Sequence, residues 1–262
     1  NGGLPDGTSG WRILYTTQNE AGRPAVASGI VVGAVEQPTS PSPVVAWAHA
    51  TTGVARGCAP SLTSNPFAAE RLPTLASAVD AGWTVVATDY LGLGTQGPHP
   101  YLIGHSEARS VLDAVRAARS IDTLTLADKT VVWGYSQGGH AALWAAQLAP
   151  TWAPELDVVG TVAAAPFSEV DVLLPAAGSI PGAEGYLVLG VYGQAAANPA
   201  LDPATVLDPA AVAQADLVED ACLQEVAETF GQVAQDTGRP IANLEALADP
   251  AWSEQLLSIK PG

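Results

Sequence analysis

The pentapeptide Gly134-Tyr135-Ser136-Gln137-Gly138 decides the fold that this sequence predicts. It follows a strand-like run at 130–133 and precedes a run typical of a helix at 139–148. A Gly-x-Ser-x-Gly pattern in this context predicts a nucleophile elbow, a sharp turn that presents the serine hydroxyl at the edge of a sheet. Glycine suits both flanking positions because such a turn leaves no room for a Cβ atom. We therefore predict Ser136 as a nucleophile; the alternative is a glycine-rich turn in which the serine only caps the helix.

Around this turn, strand-like and helix-like runs alternate. The strand-like runs are continuously apolar, which predicts an α/β fold with a mostly parallel sheet and helices on both faces. Ahead of them, segments 11–17 and 25–34 flank a turn cluster and predict an antiparallel hairpin at the sheet edge. The predicted strands are 43–50, 83–90, 130–135 and 157–164, and the predicted helices are 68–82, 106–121 and 139–148.

The alternation stops after residue 167. From there the pattern predicts helices at 186–197, 211–232 and 241–257, separated by Pro-rich breaks. We predict two domains, a core at 1–167 and a helical cap at 168–262 that covers the active site. Composition changes at the same place, because residues 168–262 hold 14 of the 26 acidic residues but two of the ten basic ones. We interpret this excess as a solvated acidic surface rather than a binding site.

Composition excludes several classes of protein. The 262 residues are 48% hydrophobic and 14% charged, enough for a large core. A net charge of −16 argues against nucleic acid as a partner. The sequence contains no run of 18 apolar residues, so we expect no membrane span. The chain begins with Asn and contains no Met, which we interpret as a processed product without its signal peptide.

The two cysteines, Cys58 and Cys222, lie one in each predicted domain. A disulfide between them would connect the helical region to the core and would fit an oxidising compartment. Two free buried thiols are the alternative. The residues alone leave both possibilities open.

A serine nucleophile needs a histidine base that a carboxylate orients. On a sheet of this type the acid and the histidine follow the serine along the chain. His49, His99 and His105 precede Ser136, and His140 lies four residues after it on a helix that carries its side chain away. We therefore predict that the catalytic Asp and His are not in this chain. About 100 further residues would complete the sheet and supply them.

The segment His49-Ala50-Thr51-Thr52-Gly53 directly follows a predicted strand. On such sheets the loop after this strand donates the second N–H of the oxyanion hole. We predict that the hole combines the N–H of Gln137 with that of Thr52 or Thr51. The alternative is an ordinary polar turn.

A glycine-rich segment at 89–94 resembles a dinucleotide-binding loop, but no helix follows it directly. We interpret it as a loop beside the pocket, and we expect no nucleotide cofactor.

Several motifs of this sequence occur together in one known family. Residues 134–140 (Gly-Tyr-Ser-Gln-Gly-Gly-His), 47–53 (Trp-Ala-His-Ala-Thr-Thr-Gly) and 58–61 (Cys-Ala-Pro-Ser) together resemble the secretory lipase family of the Candida antarctica lipase A type, in the α/β-hydrolase superfamily. Segments 88–94, 101–105, 4–7 and 12–15 fit the same pattern. The resemblance covers residues 1–167 through specific motifs, and the helical region through its position and character.

The resemblance implies an extracellular α/β-hydrolase with a helical cap inserted after the strand that ends near Pro166. It implies Ser136 as the nucleophile and a disulfide between Cys58 and Cys222. It also implies hydrolysis of carboxylic esters, including acylglycerols, without a metal. The family's acid and histidine lie beyond the cap, whereas this chain ends at Gly262. We therefore expect a C-terminal fragment of the same precursor, bound as a second chain, to supply the missing part of the core.

Two other functions stay open on sequence grounds. One is a non-catalytic lipid-binding relative that kept the fold and lost the triad. The other is an α/β-hydrolase of different specificity, such as an acyltransferase or a peptidase.

Overall fold

A six-stranded sheet forms the centre of the protein in a computed structural model that describes residues 4–36, 39–66 and 75–262. The spatial order of the strands is β1-β2-β4-β3-β5-β6. The strands are β1 (Thr8–Gln18), β2 (Pro24–Ala34), β3 (Ser42–Ala48), β4 (Thr84–Leu91), β5 (Leu126–Tyr135) and β6 (Asp157–Ala164).

The pairing of these strands confirms the predicted fold class. Strands β1 and β2 form an antiparallel hairpin, and β2 pairs antiparallel with β4. The pairs β4–β3, β3–β5 and β5–β6 are parallel. Parallel neighbours need a crossover connection, which helices supply here. The helices are α1 (Leu75–Asp80), α2 (Gly104–Ala118), α3 (Gln137–Trp152), α4 (Val170–Ala177), α5 (Glu184–Ala197), α6 (Pro209–Val212), α7 (Ala215–Asp220), α8 (Leu223–Thr237) and α9 (Pro250–Ser258).

Strand β3 shows how both faces of the sheet are buried. Its residues Val44 and Ala46 belong to the cluster that α2 and α3 cover, whereas Val45 and Trp47 belong to the cluster that includes Leu75 of α1. Successive side chains of a strand point to opposite faces, so a continuously apolar strand needs cover on each side. This explains why the sequence of β3 is apolar throughout.

The helical region from residue 170 onward has a hydrophobic cluster of its own, with Leu187, Phe230 and Trp252 buried in it. Tyr101 and Leu102, which precede α2 in the chain, belong to the same cluster. The boundary at residue 167 stays a prediction, although the last strand ends at Ala164 and α4 begins at Val170.

Two predicted helices are wrong as single elements. The segment 211–232 contains parts of α6, α7 and α8, because the backbone is extended at Ala221 and Cys222. Cys222 pairs there with Gly53 in an isolated β-bridge, and this tertiary contact overrides the local helical pattern. The segment 241–257 is also divided, since Asp249 is extended before Pro250, and Pro250 starts α9.

The predicted helix at 68–82 falls partly outside the described residues. Residues 68–74 are not described, and the remainder forms α1 and a turn. Helix α4 was not among the predicted helices. No helix in the part of the chain that the structure describes is long and apolar enough to cross a membrane.

Candidate active site

Ser136 is the single residue between the end of β5 and the start of α3. Its backbone has φ 56° and ψ −116°, in a region that residues other than glycine rarely adopt. Such a strained strand-to-helix turn is the geometry of a nucleophile elbow. The serine is half-buried, and the preceding Tyr135 is exposed.

The flanking glycines are required by close backbone contacts. A Cβ atom on Gly134 would lie 1.8 Å from the carbonyl oxygen of Gly138. A Cβ atom on Gly138 would lie 1.9 Å from the carbonyl oxygen of Ala48, at the end of β3. Because the opposing atoms belong to the backbone, no rotamer change relieves either clash. The first turn of α3 therefore lies directly against the end of β3.

Hydrogen bonds fix the elbow from both sides. The Ser136 N–H donates to the carbonyl oxygen of Ala164 in β6 at 3.0 Å, and the Phe167 N–H donates to the Ser136 carbonyl at 3.2 Å. Gln137 is the first residue of α3, and the first N–H groups of a helix have no partner within it. Since a helix N-terminus also favours negative charge, the Gln137 N–H is suited to stabilise an oxyanion.

The predicted second donor lies in the 49–53 loop, which starts beside the elbow at the contact between Gly138 and Ala48. The His49 ring lies 2.6 Å from the Ala50 carbonyl oxygen through Nδ1. Since a trans peptide places its C=O and N–H on opposite sides, this contact directs the Thr51 N–H away from the His49 ring. The Thr52 carbonyl accepts from the Leu223 N–H at 2.9 Å. The structure thus brings the segments of Gln137, Thr51 and Thr52 together, and the role of each stays a prediction.

A disulfide joins Cys58 to Cys222, with their Cα atoms 5.4 Å apart. It lies against the 49–53 loop, because a Cβ atom on Gly53 would meet the Cys58 Sγ at 2.8 Å. Gly53 has φ 134°, which glycine tolerates best. The disulfide therefore holds the start of α8 against the candidate oxyanion loop. A cavity of about 390 Å³ lies between them, lined in part by Thr52, Cys58 and Leu223.

The buried histidines contact groups other than Ser136. His99 pairs through Nδ1 with the Leu91 carbonyl and through Nε2 with the Gln137 side chain, both at 2.8 Å. His140 pairs through Nδ1 with Glu107 and through Nε2 with the Ile259 carbonyl, both at 2.7 Å. Each of these rings is therefore engaged at both nitrogens.

The other two histidines are also engaged elsewhere. The His49 ring nitrogens face the carbonyls of Ala50 and Asp89. His105 is exposed and lies against Trp144, with ring centroids 4.6 Å apart and the ring planes tilted by 49°. The absence of the catalytic base from these four histidines stays a prediction.

Burial controls the charge of two rings. It lowers the pKa of His99 to about 4, and it lowers the pKa of His49 as well. Both rings are therefore neutral at neutral pH. Because the Leu91 carbonyl can only accept, the proton of His99 is on Nδ1 and its Nε2 accepts from Gln137.

Asp89, at the start of the 89–94 segment, has a structural role. Its Oδ1 accepts from the Ser61 N–H at 2.9 Å, and its Oδ2 accepts from the Ser28 and Ser61 hydroxyls at 2.6 and 2.5 Å. The carboxylate therefore connects β4 with β2 and the turn at 60–62. Within the described ranges, no group of three or more His, Cys, Asp or Glu side chains is arranged to hold a metal.

Sequence reasoning missed Glu107, which is fully buried in the first turn of α2. Its carboxylate accepts from Gln137 Nε2 at 2.8 Å and lies 2.7 Å from His140 Nδ1. A glutamate in the first turn of an amphipathic helix is ordinarily exposed, where it favours the helix dipole. Glu107 differs from such an exposed glutamate only because α2 packs on α3, which the local sequence does not reveal.

A mostly parallel sheet with a strained serine turn between β5 and α3 defines the α/β-hydrolase class. Within that class the family is also established. The sequence model of the secretory lipase family matches residues 37–244, and the chain belongs to this family.

Individual relatives include lipases and one protein whose name marks it as inactive. Lipase A of Moesziomyces aphidis is 29% identical over 210 residues, which cover 76% of this chain and 44% of the relative. A protein of Mycobacterium tuberculosis named "Probable inactive lipase" is 30% identical over 177 residues, covering 64% of this chain and 39% of the relative. The chain therefore spans about two-fifths of the length of these curated relatives.

Solved structures share the fold. Candida antarctica lipase A in its closed state superimposes with a TM-score of 0.79 at 21% identity, covering 97% of this chain and 60% of the other. The rice cell wall degrading esterase LipA from Xanthomonas oryzae gives a TM-score of 0.78 at 23% identity, covering 97% and 71%. At these identities the likeness shows the fold alone.

The elbow contacts predict the effect of adding one methyl group. Gly138→Ala places its Cβ against the Ala48 carbonyl, and we expect a loss of at least about 3 kcal/mol in the free energy of unfolding, or failure to fold. Gly160→Ala in β6 is the control, because a Cβ there meets nothing within 4 Å. Urea unfolding measures the free energy of unfolding of both variants. Equal stability of the two variants would contradict the close contact.

The pKa of His99 predicts how stability depends on pH. The unfolded chain binds a proton at this ring near its ordinary pKa of 6.5, whereas the folded protein binds it only near 4. The neutral ring of His99 therefore contributes about 3 kcal/mol to the free energy of unfolding above about pH 6.5. This contribution is lost as the pH falls to about 4. Urea unfolding at several pH values measures this dependence. In His99→Gln, the free energy of unfolding should fall less than in the wild type as the solution is acidified. A wild-type slope in His99→Gln would refute the assignment.

Proposed function

We propose that this chain carries the nucleophile of an extracellular carboxylic ester hydrolase of lipase type, which cleaves acylglycerol-like esters through an acyl-Ser136 intermediate. The observation that carries the proposal is the strained turn at Ser136, held beside the 49–53 loop by the contact of Gly138 with Ala48. Membership of the secretory lipase family supports the substrate class and the extracellular location.

In the proposed reaction, the Ser136 Oγ attacks the ester carbonyl carbon while a histidine takes its proton. The N–H groups of Gln137 and of Thr52 or Thr51 stabilise the oxyanion that forms, and removing one such donor typically costs about 10²–10³ in rate. Collapse of this intermediate breaks the ester bond, and the leaving alcohol takes the proton from the histidine. Water, activated by the same histidine, then releases the carboxylic acid and restores Ser136.

We propose that the histidine and its aspartate come from a C-terminal fragment of the same precursor, bound as a second chain. Strand β6 supports this. It is largely apolar, yet each of its residues is exposed or half-buried, with Val159 at 53% and Val162 at 43% exposure. Among the described residues it pairs with β5 alone. Because parallel strands are ordinarily covered on both faces, this edge is suited to accept further strands.

A second candidate function is lipid binding without turnover. It is favoured by one observation, the name "Probable inactive lipase" of the relative from Mycobacterium tuberculosis. Such a protein would bind a fatty acid beside the elbow and would show no covalent reaction at Ser136.

Covalent labelling separates the two candidates. We expect a fluorophosphonate probe to modify the purified two-chain protein at Ser136, because the triad activates this hydroxyl alone. Peptide mass spectrometry locates the adduct. Ser136→Ala should lose it completely, while Ser258→Ala, at an exposed site in α9, should keep it. An unlabelled two-chain protein that still binds fatty acid would establish the binding function instead.

The edge of β6 predicts where the second chain binds. Denaturing intact-mass analysis should show, beside the 26.6 kDa chain, a polypeptide of about 100 residues. Val162→Lys should reduce the co-purified second chain at least about 10-fold, because burying an unpaired ammonium costs more than 1.4 kcal/mol. Leu14→Lys is the control, since Leu14 lies 71% exposed on β1 at the opposite edge. A single species would refute the two-chain arrangement.

A further inference from the structure

The buried carboxylate of Glu107 contacts the first turn of α3 at two points. Its Oε1 accepts from Gln137 Nε2 at 2.8 Å, and its Oε2 lies 2.7 Å from His140 Nδ1. Oε1 also accepts from the Leu102 N–H at 3.2 Å. We call Glu107, Gln137, His140 and His99 the Glu107 cluster. All four side chains are at least 99% buried.

The partners of Gln137 determine how its amide is oriented. The Glu107 carboxylate can only accept, and His99 Nε2 accepts because Nδ1 donates to the Leu91 carbonyl. Gln137 Nε2 has two hydrogens, one for each of these acceptors. Turning the amide around would place its oxygen against the carboxylate. The side chain of the residue that carries the candidate oxyanion N–H is therefore held at its far end.

His140 supports the same carboxylate from the other side. Its second ring nitrogen lies 2.7 Å from the Ile259 carbonyl oxygen, so both nitrogens face acceptors. These two contacts fix the ring between Glu107 and the Ile259 carbonyl. A buried charge that is paired and hydrogen-bonded is stable, whereas removing one partner leaves the other uncompensated.

The position of this cluster matters because the elbow is strained. A residue at φ 56° persists only where its surroundings fix it. Gln137 and His140 lie one and four residues after Ser136, on the turn that leaves the elbow. Both oxygens of Glu107 are occupied by these contacts. It is thus placed to hold the turn rather than to react.

We propose that Glu107 is a positioning residue for the nucleophile elbow, which acts through the Gln137 side chain and His140 to fix the direction of the Gln137 N–H. The proposal rests on the proposed function, since that N–H matters only if an oxyanion forms at Ser136. It extends that function by assigning a role to a residue on α2, outside both the triad and the oxyanion loop.

The test is Glu107→Gln, which keeps the size of the side chain but removes its charge and one acceptor. In the two-chain protein we expect kcat for a short chromogenic ester to fall about 10²-fold, with KM changed less than about 2-fold, because the misplaced donor acts in the transition state. Glu155→Gln is the matched control, because this glutamate is exposed and ion-paired with Arg116. It should keep the wild-type kcat. A lower melting temperature with unchanged kcat in Glu107→Gln would overturn the proposal.

Gln137→Met covers the case in which Glu107→Gln does not fold. It removes the amide contacts and leaves Glu107 paired with His140, and we expect kcat to fall in the same way. An unchanged kcat in this variant would overturn the proposal.

A spectroscopic measurement separates this proposal from the proposed function. In the purified protein, the backbone N–H resonance of Gln137 should shift in Glu107→Gln and stay in place in Glu155→Gln. If the two-chain protein shows neither turnover nor labelling, the proposed function fails. The Gln137 N–H resonance still tests whether Glu107 positions the elbow. An unshifted Gln137 resonance would overturn that role.

Discussion

The rest of the structure depends on one steric constraint, the close approach of the first turn of α3 to the ends of β3 and β6. A Cβ atom on Gly138 would lie 1.9 Å from the Ala48 carbonyl oxygen, and one on Gly139 would lie 2.9 Å from the Ala164 carbonyl oxygen. Because the helix begins this close to the sheet, the chain turns within a single residue, and Ser136 takes a positive φ. The segments that leave β3 and β6 must then pass beside the serine. The candidate oxyanion loop is one of them.

The helical region contacts this arrangement at several places, including two beside the elbow. At one, the disulfide and the hydrogen bond from Leu223 to Thr52 hold α8 against the 49–53 loop. At the other, the Ile259 carbonyl accepts from the side chains of His140 and Trp144 on α3. The contact of His140 lies about one turn after the elbow, and the contact of Thr52 lies on the loop beside it. A change in how the helices pack would therefore reach the groups that surround Ser136.

The sequence predicted those features that local pattern determines. The Gly-x-Ser-x-Gly segment between two periodic runs predicted the elbow, and continuously apolar strands predicted a mostly parallel sheet, as observed. The break at Cys222 could not be predicted, because it follows from pairing with Gly53 far away in the chain. Glu107 was missed for a similar reason, since the first turn of a helix is an ordinary place for an exposed glutamate. Whether β6 lies at an edge also escapes local pattern, because its composition is that of a central strand.

The contacts around Ser136 show how much of the candidate site this chain positions by itself. The strained φ, the two flanking glycines and the Ser136–Ala164 hydrogen bond lie within this chain, and so does the Glu107 cluster below the turn. Ser136 and the candidate oxyanion donors are thus positioned by contacts within this chain. A histidine needs only to reach Ser136 from the open side, which the exposed Tyr135 and the uncovered β6 leave accessible. Under the proposed function, preorganisation of Ser136 and its neighbours means that the histidine and its acid need only be added to a site that is already shaped.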